Sequence, residues 1–126
     1  RAVLSLKPLI APYKCIIIPL VSGEDRFIAK TKEIESLLKR NHITAKVDKS
    51  SLKIGKRYSR ADEIGIPFGI TIDEVTFTDG TVTFRERDST HQVRFDISEI
   101  PGLVSQLVDE LISWDDVVAK YALVKN

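Results

Sequence analysis

The sequence predicts an α/β domain, a mixed β-sheet with parallel members and helices on its faces. Three observations point there. Residues 14–20 (KCIIIPL) form a short β-branched apolar run, the pattern of a strand buried on both faces of a parallel sheet. A helical apolar stripe follows it at once. Strand-like and helix-like segments then continue in the order β-α-β-α-β-β-β-α-α, and strands separated by helices favour crossover connections.

Each element has its own signal. Residues 4–13 (LSLKPLIAPY) carry two prolines and read as an extended linker leading into the domain. Ser22-Gly23-Glu24-Asp25 matches a capping box, so a helix is expected to about Arg40. Phe27, Ile28, Ile34, Leu37 and Leu38 form its stripe. Lys39 and Arg40 suit its negative end, and Asn41 suits a left-handed stop. Residues 43–47 alternate as a strand, with Ile43, Ala45 and Val47 inward. Residues 54–64 read as a helix with Ile54, Tyr58, Ala61 and Ile64 on one face, ended by Gly65. Ile66, Phe68, Ile70 and Ile72 alternate as the next strand.

Residues 75–87 read as a hairpin about Asp79-Gly80, a favoured type I′ pair. Thr81, Thr83, Arg85 and Arg87 share one face of its second strand. Residues 91–95 suit a further strand. Ser98 is placed to cap a helix with Leu103, Val104, Leu107, Val108 and Leu111 inward. Ser113-Trp114-Asp115-Asp116 is a second capping box and opens a last helix to about Tyr121.

The chain has 126 residues, 43% hydrophobic and 29% charged, which suits one soluble domain with a real core. The longest apolar run, 15–21, is too short to span a bilayer, and no membrane partner is expected. The chain begins at Arg1 and contains no methionine, which reads as a segment of a larger protein, with N-terminal processing as the alternative. Residues 1–12 then read as an entry linker, and residues 13–126 as a single domain. Cys15, alone, reads as a buried apolar residue. No Walker loop or GxGxxG occurs, and one cysteine with two distant histidines closes no zinc site. His42 reads as a surface residue, His91 as either a solvent-facing residue or an RNA contact, and helix capping accounts for Asp115-Asp116. The chain is expected to do no chemistry itself and to hold no cofactor.

Charge is concentrated at two places. Residues 54–68 (IGKRYSRADEIGIPF) pack Lys56, Arg57, Arg60, Asp62 and Glu63 between two glycines. At 100° per residue Lys56, Arg60 and Glu63 share the outer helix face. Arg85-Glu86-Arg87-Asp88 follows a strand about twenty residues later. Net charge is only +1, so any nucleic-acid affinity must come from local patches. Arginines beside carboxylates can contact phosphate and also read base edges, and a structured RNA is the best-suited partner. The alternative is a solvated charged helix face, with Arg57 and Asp62 as a structural pair beneath the sheet.

The runs IGKRYSRADEIGIPFGITID and TVTFRERDSTHQVRF, with APYKC, ISEIP and SWDDVVAKY, resemble the C-terminal anticodon-binding domain of class II aminoacyl-tRNA synthetases. Within that family the chain is most similar to the glycyl-specific enzymes of eukaryotes and archaea, with Phe84 where leucine is frequent. The resemblance implies a mixed five-stranded sheet. It implies a tRNA(Gly) anticodon stem-loop as partner, bound by Lys56, Arg57, Arg60, Glu63, Arg85, Glu86, Arg87 and Asp88. It further implies a homodimeric, cytoplasmic parent enzyme, with mitochondria as a second compartment, whose separate catalytic domain uses ATP and Mg. Two other readings stay open. One is a non-catalytic relative, such as a mitochondrial DNA polymerase accessory subunit. The other is a small-molecule-binding α/β domain.

Overall fold

The computed structural model describes residues 5–124. The first four residues of the expected linker and the last two of the expected domain lie outside them. One sheet organises the chain. β1 (Cys15–Pro19) has β2 (Ala45–Val47) and β3 (Phe68–Ile72) on either side, both parallel to it. β4 (Thr81–Glu86), β5 (Gln92–Asp96) and β6 (Leu123–Val124) extend it antiparallel, in the order β2-β1-β3-β4-β5-β6. The sheet is mixed, as expected, but has six strands rather than five. The additional strand is two residues long and leaves too little pattern in the sequence to be seen.

Helix α1 (Asp25–Arg40) connects β1 to β2, and α2 (Ile54–Glu63) connects β2 back past β1 to β3. The two crossovers run in opposite directions across the sheet. Right-handed connection therefore puts α1 and α2 on opposite faces. On the α1 face α3 (Glu74–Asp79), α4 (Ile100–Val108) and α5 (Trp114–Lys120) complete the layer. Ile17, Ile70, Phe84 and Val93 of the sheet meet Phe27, Leu38, Ile100 and Trp114 there. The α2 face is smaller, with Ile16, Ile18, Ala61 and Ile66 packed against Ile54 and Tyr58. α2 covers β1, its Tyr58 reaches over β3, and a groove opens on the same face beside β4 and β5.

Six local expectations are corrected. Residues 74–79 form a helix, not a hairpin arm. Asp73 accepts from the Thr76 amide and Thr76 answers through the Asp73 amide, a reciprocal cap. Gly80, at φ 75°, ends the helix in the left-handed region. A type I′ turn and a helix C-cap ask for the same glycine, so the dipeptide alone does not separate them. Ser22 does not cap α1. Its hydroxyl donates to the Ser50 carbonyl, and Glu24 sits at the N-cap without a side-chain bond. The left-handed residue after α1 is His42, at φ 59°, while Asn41 has φ −100°. Ile28 is exposed and Thr31 takes its place in the buried stripe. Ser98 lies inside a 3-10 turn (Ile97–Glu99) capped by Asp96, and α4 stops at Val108, leaving Leu111 73% exposed. The Ser113–Asp116 capping box stands as expected.

The segment leading into β1 is tied down. The Lys14 ammonium donates to the carbonyls of Pro8, Leu9 and Ala11 at 2.7, 2.9 and 2.8 Å. Desolvation lowers the Lys14 pKa from its ordinary value. Cys15 is fully buried, and that burial pushes its thiol up.

Candidate nucleic-acid interface

The two charge clusters of the sequence meet on the open side of the sheet, and half of their arginine content turns inward. Arg57 is 1% exposed. It donates to the Pro19 carbonyl at 2.7 Å and the Asp48 carbonyl at 2.9 Å, and its Nε lies 3.3 Å from Asp48 Oδ2. Arg57 thereby pins the end of β1 to the β2–α2 loop. Burial acts to raise the Asp48 pKa, but the Ser50 hydrogen bonds and the Arg57 charge outweigh it and hold the carboxyl below its ordinary range. Arg87 is 4% exposed; it donates to the carbonyls of Leu6 and Gly65 and pairs with Asp88 at 2.9 Å. These two guanidiniums hold loops in place.

Asp62 does not pair with Arg57. It receives two parallel bonds from Arg85, at 2.9 and 3.1 Å. Arg85 is thus held against α2 and is not solvated surface. Its guanidinium lies 4.5 Å from the centre of the Tyr58 ring. The Tyr58 hydroxyl bonds to the Thr71 hydroxyl, and burial raises its pKa. Gly69 makes room for the ring, since a Cβ there would stand 3.3 Å from Tyr58 Cε1.

Around this stack lies a groove of about 440 Å³ between α2 and the open strands, lined by Tyr58, Thr71, Asp73, Thr83, Arg85 and Arg94 among others. Arg94 donates to Thr81 Oγ1 at 3.0 Å and pairs with Asp73. Register explains the grouping. Thr71 faces Thr83 and Thr83 faces Arg94 across adjacent strands, so they share one side of the sheet. The groove offers donors, acceptors and a flat guanidinium plate, the equipment for unstacked bases.

Lys56, Arg60 and Glu63 are exposed on the outer side of α2, as the helical spacing predicts. Glu86 is half-buried and accepts from the Ser89 amide, and Asp88 is exposed beside Arg87. The structure therefore brings Arg85 into the groove, leaves Lys56, Arg60 and Glu63 on the ridge beside it, and assigns Arg57 and Arg87 to scaffolding. Sequence reading missed Asp73, Thr83 and Arg94. The signal for Thr83 and Arg94 was the alternation of β4 and β5, which needed the strand register to become a shared face; Asp73, the N-cap of α3, joins them through its pair with Arg94. Among the described residues no group of acidic, cysteine or histidine side chains is placed to hold a metal ion. No described helix is long and apolar enough to cross a membrane.

A mixed six-stranded α/β sheet with a polar groove beside α2 defines the class of domain, and similarity gives its family. The family described as "Anticodon binding domain" matches residues 14–107, and the chain belongs to that family. It is 44% identical over 123 residues to a glycine–tRNA ligase of Caenorhabditis elegans, covering 96% of this chain and 16% of that one. A glycine–tRNA ligase of Methanocaldococcus jannaschii is 47% identical over 110 residues, covering 87% and 19%. The mitochondrial glycine–tRNA ligase 1 of Saccharomyces cerevisiae is 41% identical over 116 residues, covering 92% and 17%. The fold is similar to part of prolyl-tRNA synthetase from Cryptosporidium parvum, solved with L-proline and AMP. That match has TM-score 0.75 and 25% identity, over 86% of this chain and 24% of the other. The chain thus spans less than a fifth of the length of these glycine–tRNA ligases and corresponds to their anticodon-binding part.

Proposed function

We propose that this domain binds the anticodon stem-loop of a glycine tRNA and positions it for a glycine–tRNA ligase. Family membership and the identity to glycine–tRNA ligases support the class. The observation that carries the reading is the groove, where Arg85 lies 4.5 Å over the Tyr58 ring and is held by Asp62. A guanidinium held along one edge by a carboxylate and backed by a ring is a preorganised surface on which a splayed base can stack. Glycine activation with ATP and Mg, and any dimer contact, belong to the remainder of such a ligase. This chain has no nucleotide-cradling loop.

Glycine codons begin GG, so the last two anticodon bases are cytosines. Cytosine presents an N4 amine, which a carboxylate accepts, and acceptors to which arginine donates. Glu63 on the α2 ridge is the acceptor of choice, with Arg60 and Lys56 beside it for phosphate. The chain of net charge +1 neutralises few phosphates, so affinity for an isolated stem-loop should be micromolar or weaker, as in the rough range 10⁻⁴ to 10⁻⁶ M of backbone-led binding. The test is fluorescence anisotropy with stem-loops carrying CC or UU at those positions. Preference for CC supports the reading. Equal binding of both, or of neither, overturns it.

A further inference from the structure

Helix α2 is a ridge with a cleft on each side, and only one of them is the groove. On the other side, between α2 and the edge strand β2, lies a cleft of about 180 Å³ lined by Lys46, Lys49 and Arg60 with Asp48 and Ile64 among the rest. Its position follows from the fold. Lys46 stands beside Ile16 in the parallel register, and Ile16 packs against α2, so Lys46 projects toward the same helix. Its ammonium also lies 6.0 Å from the centre of the Tyr13 ring. Arg60 and Ile64 are one helical turn apart and line the helix side.

Lys46, Lys49 and Arg60 are exposed, as are Lys53 and Lys56 on the adjoining loop and ridge. None of the five takes part in an ion pair among the described residues; the ion pairs of this region join Arg57 to Asp48 and Arg85 to Asp62. The neighbouring carboxylates are Asp48, turned toward Arg57 and Ser50, and Glu63 at the end of α2. Five cations beside two carboxylates give a local excess of positive charge that the net charge conceals.

We infer that the β2–α2 cleft holds the phosphodiester backbone of the RNA strand whose bases enter the groove across the ridge, with Lys46 and Lys49 as phosphate contacts. The inference rests on the RNA-binding reading above and names two residues outside its charge clusters. Phosphate contacts carry no sequence information, so they act on affinity and salt dependence equally for every loop.

The experiment is the anisotropy titration from 50 to 300 mM salt, run with wild type, Lys46→Ala/Lys49→Ala and, as a charge-matched control, Lys32→Ala/Lys39→Ala on α1. Circular dichroism checks folding. The expected result is a log K against log salt slope shallower by about 1.4 for the first variant, at about 0.7 per single-strand phosphate. CC and UU loops should weaken by the same factor, and the α1 control should keep the wild-type slope. An unchanged slope in the first variant, or an equal change in the control, overturns the cleft while leaving the groove standing. Absence of loop binding by wild type overturns the RNA reading and this inference with it. Displacement of the loop by millimolar inorganic phosphate at constant ionic strength would make the cleft a discrete ion site and overturn the backbone assignment.

Discussion

Arg85 and Asp62 stand 23 residues apart in the chain and meet through two parallel hydrogen bonds of 2.9 and 3.1 Å. One comes from β4, the other from the inner side of α2. Their ion pair couples the open strands to the ridge and fixes the guanidinium over Tyr58. The groove therefore has a structural member at its floor, and binding there is inseparable from the stability of the pair.

Arg85→Ala is expected to destabilise the domain by about 3 kcal/mol, because it leaves the Asp62 carboxylate buried without its partner. The value sits at the low end for buried pairs because Arg85 keeps a 12% exposed edge. Urea unfolding measures it. Asp62→Leu/Arg85→Met should recover most of the loss while RNA affinity stays low. Equal recovery of both would remove Arg85 from the binding surface.

Arg57→Ala should be the more damaging change, about 3–5 kcal/mol, since it strips the Pro19 carbonyl and the Asp48 carboxylate together. Arg57→Lys should rescue it poorly, because one ammonium cannot reproduce the planar fork. A denaturation midpoint within error of wild type for either variant would contradict the pinning role.

Glu63→Ala should leave folding intact and flatten the preference for CC over UU loops, by about 1–3 kcal/mol if the carboxylate accepts from cytosine. Anisotropy with the two loops reads the difference. A preserved preference would move base reading to the groove walls at Asp73 and Arg94.

Gly69→Ala places a methyl 3.3 Å from Tyr58 Cε1 and should cost about 1–3 kcal/mol as the ring shifts. Because the ring carries the Arg85 stack, RNA affinity should fall in step. Tyr58→Leu in the same background should relieve the stability loss without restoring affinity. Thermal melts and titrations of the three proteins separate these effects.

Acid should destabilise the fold through Asp48, whose pKa is held below its ordinary 3.8. The unfolded chain binds that proton more readily, so the stabilisation is fully present above about pH 4 and is lost as pH falls through the lower, folded value. Hydrogen bonds from Thr81 and Ser98 depress Asp79 and Asp96 in the same direction. Melting temperature should therefore fall from pH 5 to pH 2, and Asp48→Asn should be less stable at neutral pH with a flatter acid slope. A parallel slope would show that other carboxylates set the acid limit.

The sequence alone determined the class of sheet, the two long helices and the outer face of α2. Those features rest on local periodicity: 3.6 residues for Lys56, Arg60 and Glu63, and a β-branched run for β1. It also carried the family resemblance, because the run 54–65 is long and specific. What it left open was everything that depends on which local pattern wins. Gly80 closes a helix rather than a hairpin because Asp73 and Thr76 cap each other and Phe77 finds Phe27 at 4.9 Å. Partner choice among the charges was undetermined for a similar reason. Arg57, Asp62, Arg85 and Arg87 have the same composition as a solvated surface, and their burial is set by strand order and by the helix crossing above them. Strand register placed Thr71, Thr83 and Arg94 in one groove and turned Lys46 toward α2. Spacing along the chain says which face of its own element a side chain occupies; only the packing of elements says what that face meets.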